Sequence, residues 1–554
     1  MSADLRRAAA VVCSLALAGA ALVGCAAGAS DEASPGATDA AAACAALTMA
    51  YGTFPQGTTV TIATPFSGEE AAAFDASLAA FSDCTGITIV QEGSDTLEAS
   101  LRAQLPTPTA RPTGMASARP SAQAGDPTAQ QTADPTAQAV PAESAMTEAA
   151  ASESAAATGE AAASGDAAAT DSAATAGGED LAVGPVTADL AVVPQPGLIA
   201  ELVQAGLITE MPEAVAANIE LGWDDTWART GTVDGTLYAA PLMASVKSFI
   251  WYSPAAFAQA GYEVPETWEE LLTLTRQVVK DHPDGDVTPW CLGAADGATT
   301  GWPLSDWLED ALLATEGTAA YDAWAGHEAP LDDRRAVDAL NDLERLLLAE
   351  GHVTGGGQGA VTTTVEQAGE QLVSGSCLML HASSSFETLL PKGTIVTDGA
   401  GTQSNGVSTF LLPSVDDGER AILVGGDYLV SLAHGRGSDG ADGGDAAGSA
   451  PSEARTAVMS YLTSAQWAVE RVSLGGVASA NRGARGVSVS SPVAEAAFEI
   501  LQSRQSVIRF DASDMMPSQV GTRVLWDALV GWAKGDADAA RALRQAEEAW
   551  PAGR

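Results

Sequence analysis

Basic side chains are scarce in this chain: 26 lysines and arginines stand against 71 acidic residues over 554 positions, giving a formal net charge of −45. Phosphate backbones are gripped by basic faces, so this balance argues against a nucleic-acid partner, and it disfavours anionic ligands while leaving neutral solutes unrepelled. Metal chemistry is also poorly provided for. No Cys-x-x-Cys and no His-Glu-x-x-His occurs and the five histidines are scattered, so neither a metal nor a cofactor is expected. Past the N-terminus there is no run of about 18 apolar residues that could span a bilayer. What the chain does have is apolar material, 46 % of its residues, and enough length for two or three domains.

Arg6 and Arg7 precede an apolar run from Ala8 to Leu22, followed by Val23, Gly24 and Cys25. This resembles the bacterial lipoprotein signal, in which the thiol is acylated and becomes the first residue after cleavage. Residues 1–24 are then a signal peptide, Cys25 is the lipidation site, and residues 25–43 form a tether that holds the protein outside the cytoplasmic membrane. Cys13 comes too early in the run to serve. Thiols oxidise in that compartment, and Cys44, Cys84, Cys291 and Cys377 allow three pairings. Cys44 with Cys84 and Cys291 with Cys377, each closing one local segment, are favoured.

Thr58–Thr64 alternates as a strand does, and Ser67, Gly68, Glu69 and Glu70 read as a capping box that opens a helix to about Phe81. Gly86–Val90 is a second strand, followed by a helix over Thr96–Leu105. Residues 106–180 contain no aromatic, Leu or Ile, cannot offset their ordering entropy by burial, and are read as a disordered insertion. Order resumes with a strand at Ala188–Val193, then Pro194-Gln195-Pro196-Gly197 and a helix to about Ala205. Three successive βα units imply a parallel sheet whose strand-end loops face one cleft.

Leu237–Tyr252 reads as extended chain leaving that sheet, with helices starting at Ser253-Pro254 and Thr267-Trp268-Glu269-Glu270. Val407–Leu412 leads back into Ala421–Ala433, a buried strand interrupted by Gly425-Gly426-Asp427. In the low-complexity loop 435–452, Gly435, Gly437 and Gly440 match dinucleotide-fingerprint spacing, but the residues after them cannot open the helix a phosphate needs.

The densest chemical cluster is Trp302 to Asp310, two indoles interleaved with three carboxylates. An indole can cover the C–H face of a pyranose while a carboxylate accepts from vicinal hydroxyls. The same residues also suit the start of an amphipathic helix with Pro303 in its first turn and Trp307, Leu308 and Leu312 turned to a core. Both readings stand at this point.

The lipobox, Pro194–Gly197, Thr299–Asp310, Gly425–Asp427, Arg509–Pro517 and Trp550-Pro551 together resemble the extracellular solute-binding proteins of ABC sugar importers, in their alpha-glucoside-binding branch, from about Cys44 to Pro551 but leaving out the 106–180 insertion and the 435–452 loop. The resemblance implies an α/β, two-lobe periplasmic-binding-protein-like (type II) fold with three hinge crossings and a ligand cleft between lobes. Lobe one is expected at 44–243 plus 413–475 and lobe two at 244–412 plus 476–554. It implies a non-enzymatic monomer that delivers a sugar to permease subunits. Carried over by position, the ligand set is Glu69, Glu92, Asp95, Gln195 and Asp427 from lobe one, and Trp302, Asp306, Trp307, Asp511 and Trp526 from lobe two. Trp251, with Lys247, stands on the first crossing. The segment His381–Phe386 lacks the Gln that the family carries there, which leaves the ligand's identity open. Two other functions remain: a glycoside hydrolase using a pair such as Asp511 and Asp306, and a binding protein for a peptide or polyamine.

Overall fold

The computed structural model describes residues 35–106, 184–401, 403–415, 420–433, 450–489 and 491–551. The expected signal peptide, Cys25, the first part of the tether, nearly all of the 106–180 insertion and most of the 435–452 loop lie outside the described residues. Among the described residues, no helix is long and apolar enough to cross a membrane.

Two sheets organise the chain. The first runs, edge to edge, Val507–Phe510, Ala421–Leu432, Leu190–Val193, Thr58–Thr64, Ile87–Gly93, and Ala239–Val246 also pairs with the long strand Ala421–Leu432. Thr58–Thr64 pairs in parallel with both Ile87–Gly93 and Leu190–Val193. Helices Gly68–Thr85, Leu97–Ala103 and Gly197–Gln204 follow these strands, so the three βα units form as expected. Val60, Ile62, Leu190 and Val192 are fully buried beneath the helices, where Phe81 stacks on Tyr461 at 4.4 Å.

The second sheet runs Ile395–Val396, Gly406–Leu411, Phe249–Tyr252, Cys377–His381, Thr288–Trp290. Its core gathers Trp290, Trp307, Leu308, Leu312, Leu340 and Leu529. The Thr267/Glu270 capping box forms on helix Trp268–Asp281. Both favoured disulfides are present, Cys44–Cys84 and Cys291–Cys377, with Cα atoms 5.2 and 5.3 Å apart. Each ties segments of one lobe.

Three expectations are corrected. Helix Pro35–Tyr51 begins inside the expected 25–43 tether, because an alanine-rich segment has high helix propensity and is pinned by Cys44 and by Leu47, which is buried. Ser67 makes no side-chain cap bond, so the box expected with Glu70 does not form.

The third change concerns the crossings. The first and second run side by side: Lys247 N donates to Leu423 O at 2.8 Å and Leu412 N to Ser248 O at 2.9 Å. The third is expected near Gly475, but residues 476–502 pack with the first lobe. Ala244 N donates to Ala478 O, Arg482 bonds Asp224, and helix Pro492–Gln502 buries Val493, Ala497 and Leu501 in the first core. Gly475 and Gly476 only turn the chain within that lobe, and it crosses after Gln502, through Val507–Phe510.

Candidate functional site

Between the sheets lies a cavity of 410 Å³. One wall is built from the carboxyl ends of the parallel strands: Pro65 to Ser67 after Thr58–Thr64, Asp95 after Ile87–Gly93, and Pro194 with Gln195 after Leu190–Val193. The opposite wall holds Asp296, Trp302, Asp306, Asp514 and Trp526. The floor is formed by the crossing strands through Met243, Lys247 and Gly425–Asp427.

Local geometry explains several of these positions. Gly301 sits at φ 111°, where an L side chain is strained, and a Cβ there would meet Trp526 O at 2.8 Å. A bare backbone therefore lets helix Trp302–Glu316 start against Trp526, and the two indoles share one wall. Trp526 Nε1 donates to Ser305 Oγ at 2.9 Å, and half-buried Trp302 donates through Nε1 to Asp296 Oδ2 at 2.8 Å. Between Asp427 and Tyr428 the pairing with Ala239–Val246 slips, a bulge that re-aims the strand where Asp427 lines the cavity. A Cβ on Gly425 would strike Lys247 Cε at 2.8 Å, so this glycine leaves room for the lysine stem.

Lys247 organises the electrostatics. Its Nζ lies 3.1 Å from Asp306 Oδ1, 2.5 Å from Asp511 Oδ2 and 3.4 Å from Asp514 Oδ2. Burial opposes the ammonium, but the three carboxylates overcome it and hold its pKa well above the usual range. One cation cannot neutralise three anions. Against its own burial, Asp511 is held ionised, at about 2, by Lys247 and by hydrogen bonding with Asp306. Asp306 is pushed well above the carboxylate range by burial, and repulsion from Asp511 adds to this. Asp514 is pushed up to about 7 by burial and then by Asp511. On the other side of the floor, Asp427 is pushed up to about 7 by burial and by Glu70. Buried Arg471 stands behind that pair; its Nη1 donates to Gly475 O, while Nε and Nη2 have no partner among the described residues.

The cavity thus offers carboxyl groups that burial biases toward the protonated, donating form, together with two indole faces. Gln195 Oε1 is buried without a partner among the described residues, an acceptor that a ligand donor would satisfy. Asp306 and Asp511 share one ammonium rather than facing each other across a bond, which is not the arrangement of a hydrolytic acid–base pair.

Of the ligand set drawn from sequence, Asp95, Gln195, Trp302, Asp306, Asp427 and Trp526 line the cavity. Five residues do not. Glu69 points out to Lys392, 3.4 Å away, while its neighbour Glu70 lines the cavity. Glu92 is exposed on the edge strand. Trp251 is fully buried on the crossing, with Nε1 donating to Ala382 O at 3.2 Å. Trp307 is core, stacked on His381 at 4.4 Å and edge-on to Trp290. Asp511 is buried behind the wall, where it caps helix Ala512–Met515 and holds Lys247. Lining residues absent from that set include Glu70, Lys247, Asp296, Asp514, Ser383 and Ser385. For Asp514 a signal existed, the Asp-x-x-Asp spacing that puts it one turn after its cap. Asp296 carries no such signal.

The sequence model described as bacterial extracellular solute-binding protein matches residues 158–386. The osmoprotective compounds-binding protein GgtB of Synechocystis sp. is 33 % identical over 332 residues, 59 % of this chain and 72 % of that protein. The alpha-glucosides-binding periplasmic protein AglE of Rhizobium meliloti is 29 % identical over 336 residues, 58 % of this chain and 66 % of that protein. Among solved structures, a chitin oligosaccharide binding protein superposes with a TM-score of 0.59 at 14 % identity, covering 88 % of this chain and 97 % of that one. Maltose-bound MalE3 of T. maritima superposes with 0.54 at 14 % identity, covering 88 % and 98 %. At such identity these structures establish the two-lobe type II fold.

Proposed function

Because the chain belongs to the bacterial extracellular solute-binding proteins of ABC transporters, we propose that its cleft captures an alpha-glucoside or short maltooligosaccharide and delivers it to a permease. The observation that carries this reading is the cavity wall formed by Trp302 and Trp526 opposite the strand-end loops holding Asp95 and Gln195. Indole faces cover the apolar side of a sugar ring, while carboxyl groups and the unpartnered Gln195 Oε1 take its hydroxyls. The relative AglE is named for alpha-glucosides, and GgtB for osmoprotective compounds.

In this reading Cys25 carries the lipid that holds the mature protein, as a monomer, at the outer face of the cytoplasmic membrane. Cys25→Ser then moves the protein from the membrane fraction to the medium.

Isothermal titration with maltose, trehalose, sucrose and maltotriose tests the ligand class. Binding of about micromolar strength, roughly −8 kcal/mol, is expected for at least one. Silence with all four, together with a thermal shift on adding spermidine, would replace the sugar with a polyamine. Slow release of glucose from a bound glucoside would make the protein a hydrolase.

A further inference from the structure

Beside the cavity, the lobes touch through a polar group none of whose members lines it. Helix Leu97–Ala103 of the first lobe contributes Glu98 and Arg102, and helix Gly197–Gln204 contributes Glu201. Ser518 and Thr522 come from the second lobe, whose core holds the adjoining Met516, Val520 and Leu525.

The bonds interlock. Arg102 Nε donates to Ser518 Oγ at 3.1 Å and Nη2 to Thr522 Oγ1 at 2.6 Å, while Arg102 also pairs with Glu98 one turn back. Ser518 donates through N to Glu201 Oε1 at 3.0 Å and through Oγ to Glu201 Oε2 at 2.7 Å. The single proton of Thr522 Oγ1 has Glu98 Oε1 at 2.8 Å and Ser518 O at 2.9 Å to choose between. Every hydroxyl therefore bridges a first-lobe charge to the second lobe. Ser518 and Thr522 are 2 % and 4 % exposed, so water competes little for these bonds.

Thr522 occupies a special place in its own helix. It lies within the π turn Val520–Val524, at φ −99° and ψ 17°, outside helical values. A π turn inserts one extra residue, which rotates everything downstream by about 100°. Downstream is helix Leu525–Ala533, with the cavity-lining Trp526 in its first turn.

We infer that Arg102, with Glu98 and Glu201, is a ligand-remote clasp that holds the lobes closed and, by gripping Thr522, fixes the helical register that aims Trp526 into the cleft. Arg102 is thus a positioning residue. It never meets the ligand, and it raises affinity by populating the closed arrangement and by presetting the indole. This rests on the proposed sugar-binding role only for the affinity readout.

The test uses Arg102→Gln and the near-isosteric Thr522→Val in the full-length protein. Labels at the exposed positions Leu221 and Arg334, introduced as unnatural amino acids to spare the disulfides, report the inter-lobe distance without ligand. Fluorine NMR of 5-fluorotryptophan protein, with the resonance assigned by Trp526→Phe, reports the indole. Expected are a shift of the ligand-free population toward longer distances, a moved Trp526 resonance, and a dissociation constant for the wild-type protein's best sugar about tenfold weaker through faster release. Unchanged distance distributions and an unchanged Trp526 resonance in both variants would overturn the clasp. Should Arg102→Gln not fold, Ser518→Ala, which deletes one bridging hydroxyl, carries the same test. If the wild type binds no sugar, the functional proposal falls while the distance and fluorine measurements still decide the clasp.

Discussion

Replacing Lys247 by Met keeps most of the stem and removes the ammonium that pairs with Asp306, Asp511 and Asp514. The side chains of Lys247 and Asp511 are 14 % and 1 % exposed, so the carboxylate left behind cannot be rescued by water. Deleting one partner of a buried pair costs about 3–5 kcal/mol, and about 4 kcal/mol is expected here at pH 8. The pH dependence is the sharper part. In the wild type, Lys247 has a raised pKa, so its contribution is fully present below 10.5 and is constant between pH 5 and 8. Asp511, held at about 2, contributes stability that is present above 3.8 and lost only as pH falls toward 2. Without the lysine, burial and its neighbours raise Asp511, and the variant regains stability by taking up a proton as pH falls. Urea denaturation followed by circular dichroism should show the cost at pH 5 falling below half its value at pH 8, and the double variant Lys247→Met/Asp511→Asn should recover about 2 kcal/mol at pH 8. A cost under about 1 kcal/mol at pH 8, or an equal cost at both pH values, would refute the account of one ammonium holding Asp511 ionised within a buried acidic cluster.

The two cavity tryptophans should separate. Trp302→Ala, at a half-buried surface, is expected to weaken sugar binding between about tenfold and a hundredfold in calorimetry with little change in melting temperature, whereas Trp526→Ala, only 4 % exposed in the wild type, should also cost about 3–5 kcal/mol of stability. Asp427, pushed up to about 7, loses stability as pH rises from 3.8 through 7; Asp427→Asn should therefore be more stable than wild type by about 2 kcal/mol at pH 8, a figure discounted because the group faces the cavity, with the difference vanishing below pH 4 in denaturation curves. Replacing Cys291 and Cys377 together by Ser opens a link between residues 86 apart and should cost about 3 kcal/mol, read by the same denaturation.

The alternation of strand and helix was legible because each βα unit announces itself within 30 residues or so, in a buried run followed by an amphipathic one. The third crossing was not. Gly475 and Gly476, both at left-handed φ, carry the local signature of a break, but whether a break leaves a lobe depends on what helix Pro492–Gln502 buries, a fact of packing rather than of turns.

The site divides along the same line. Trp302 and Trp307 look equivalent in a string, yet five residues of helix rotate a side chain by about 140°, so only one of the two can face the cleft, while Asp306, one turn after Trp302, shares its face. That much follows from the helical repeat alone. The role of Lys247 does not, because its partners lie 59, 264 and 267 residues away, in segments brought together only when the chain has crossed between lobes three times. Asp511 shows the consequence. It matches a ligand residue by position and chemistry, and it is spent instead on charging the lysine that lines the floor. In a chain with 71 acids, residue type alone carries almost no information about contact. Asp306, which lines the cavity, and Asp511 behind it hold the same ammonium, and what separates them is only which of the two the cavity reaches.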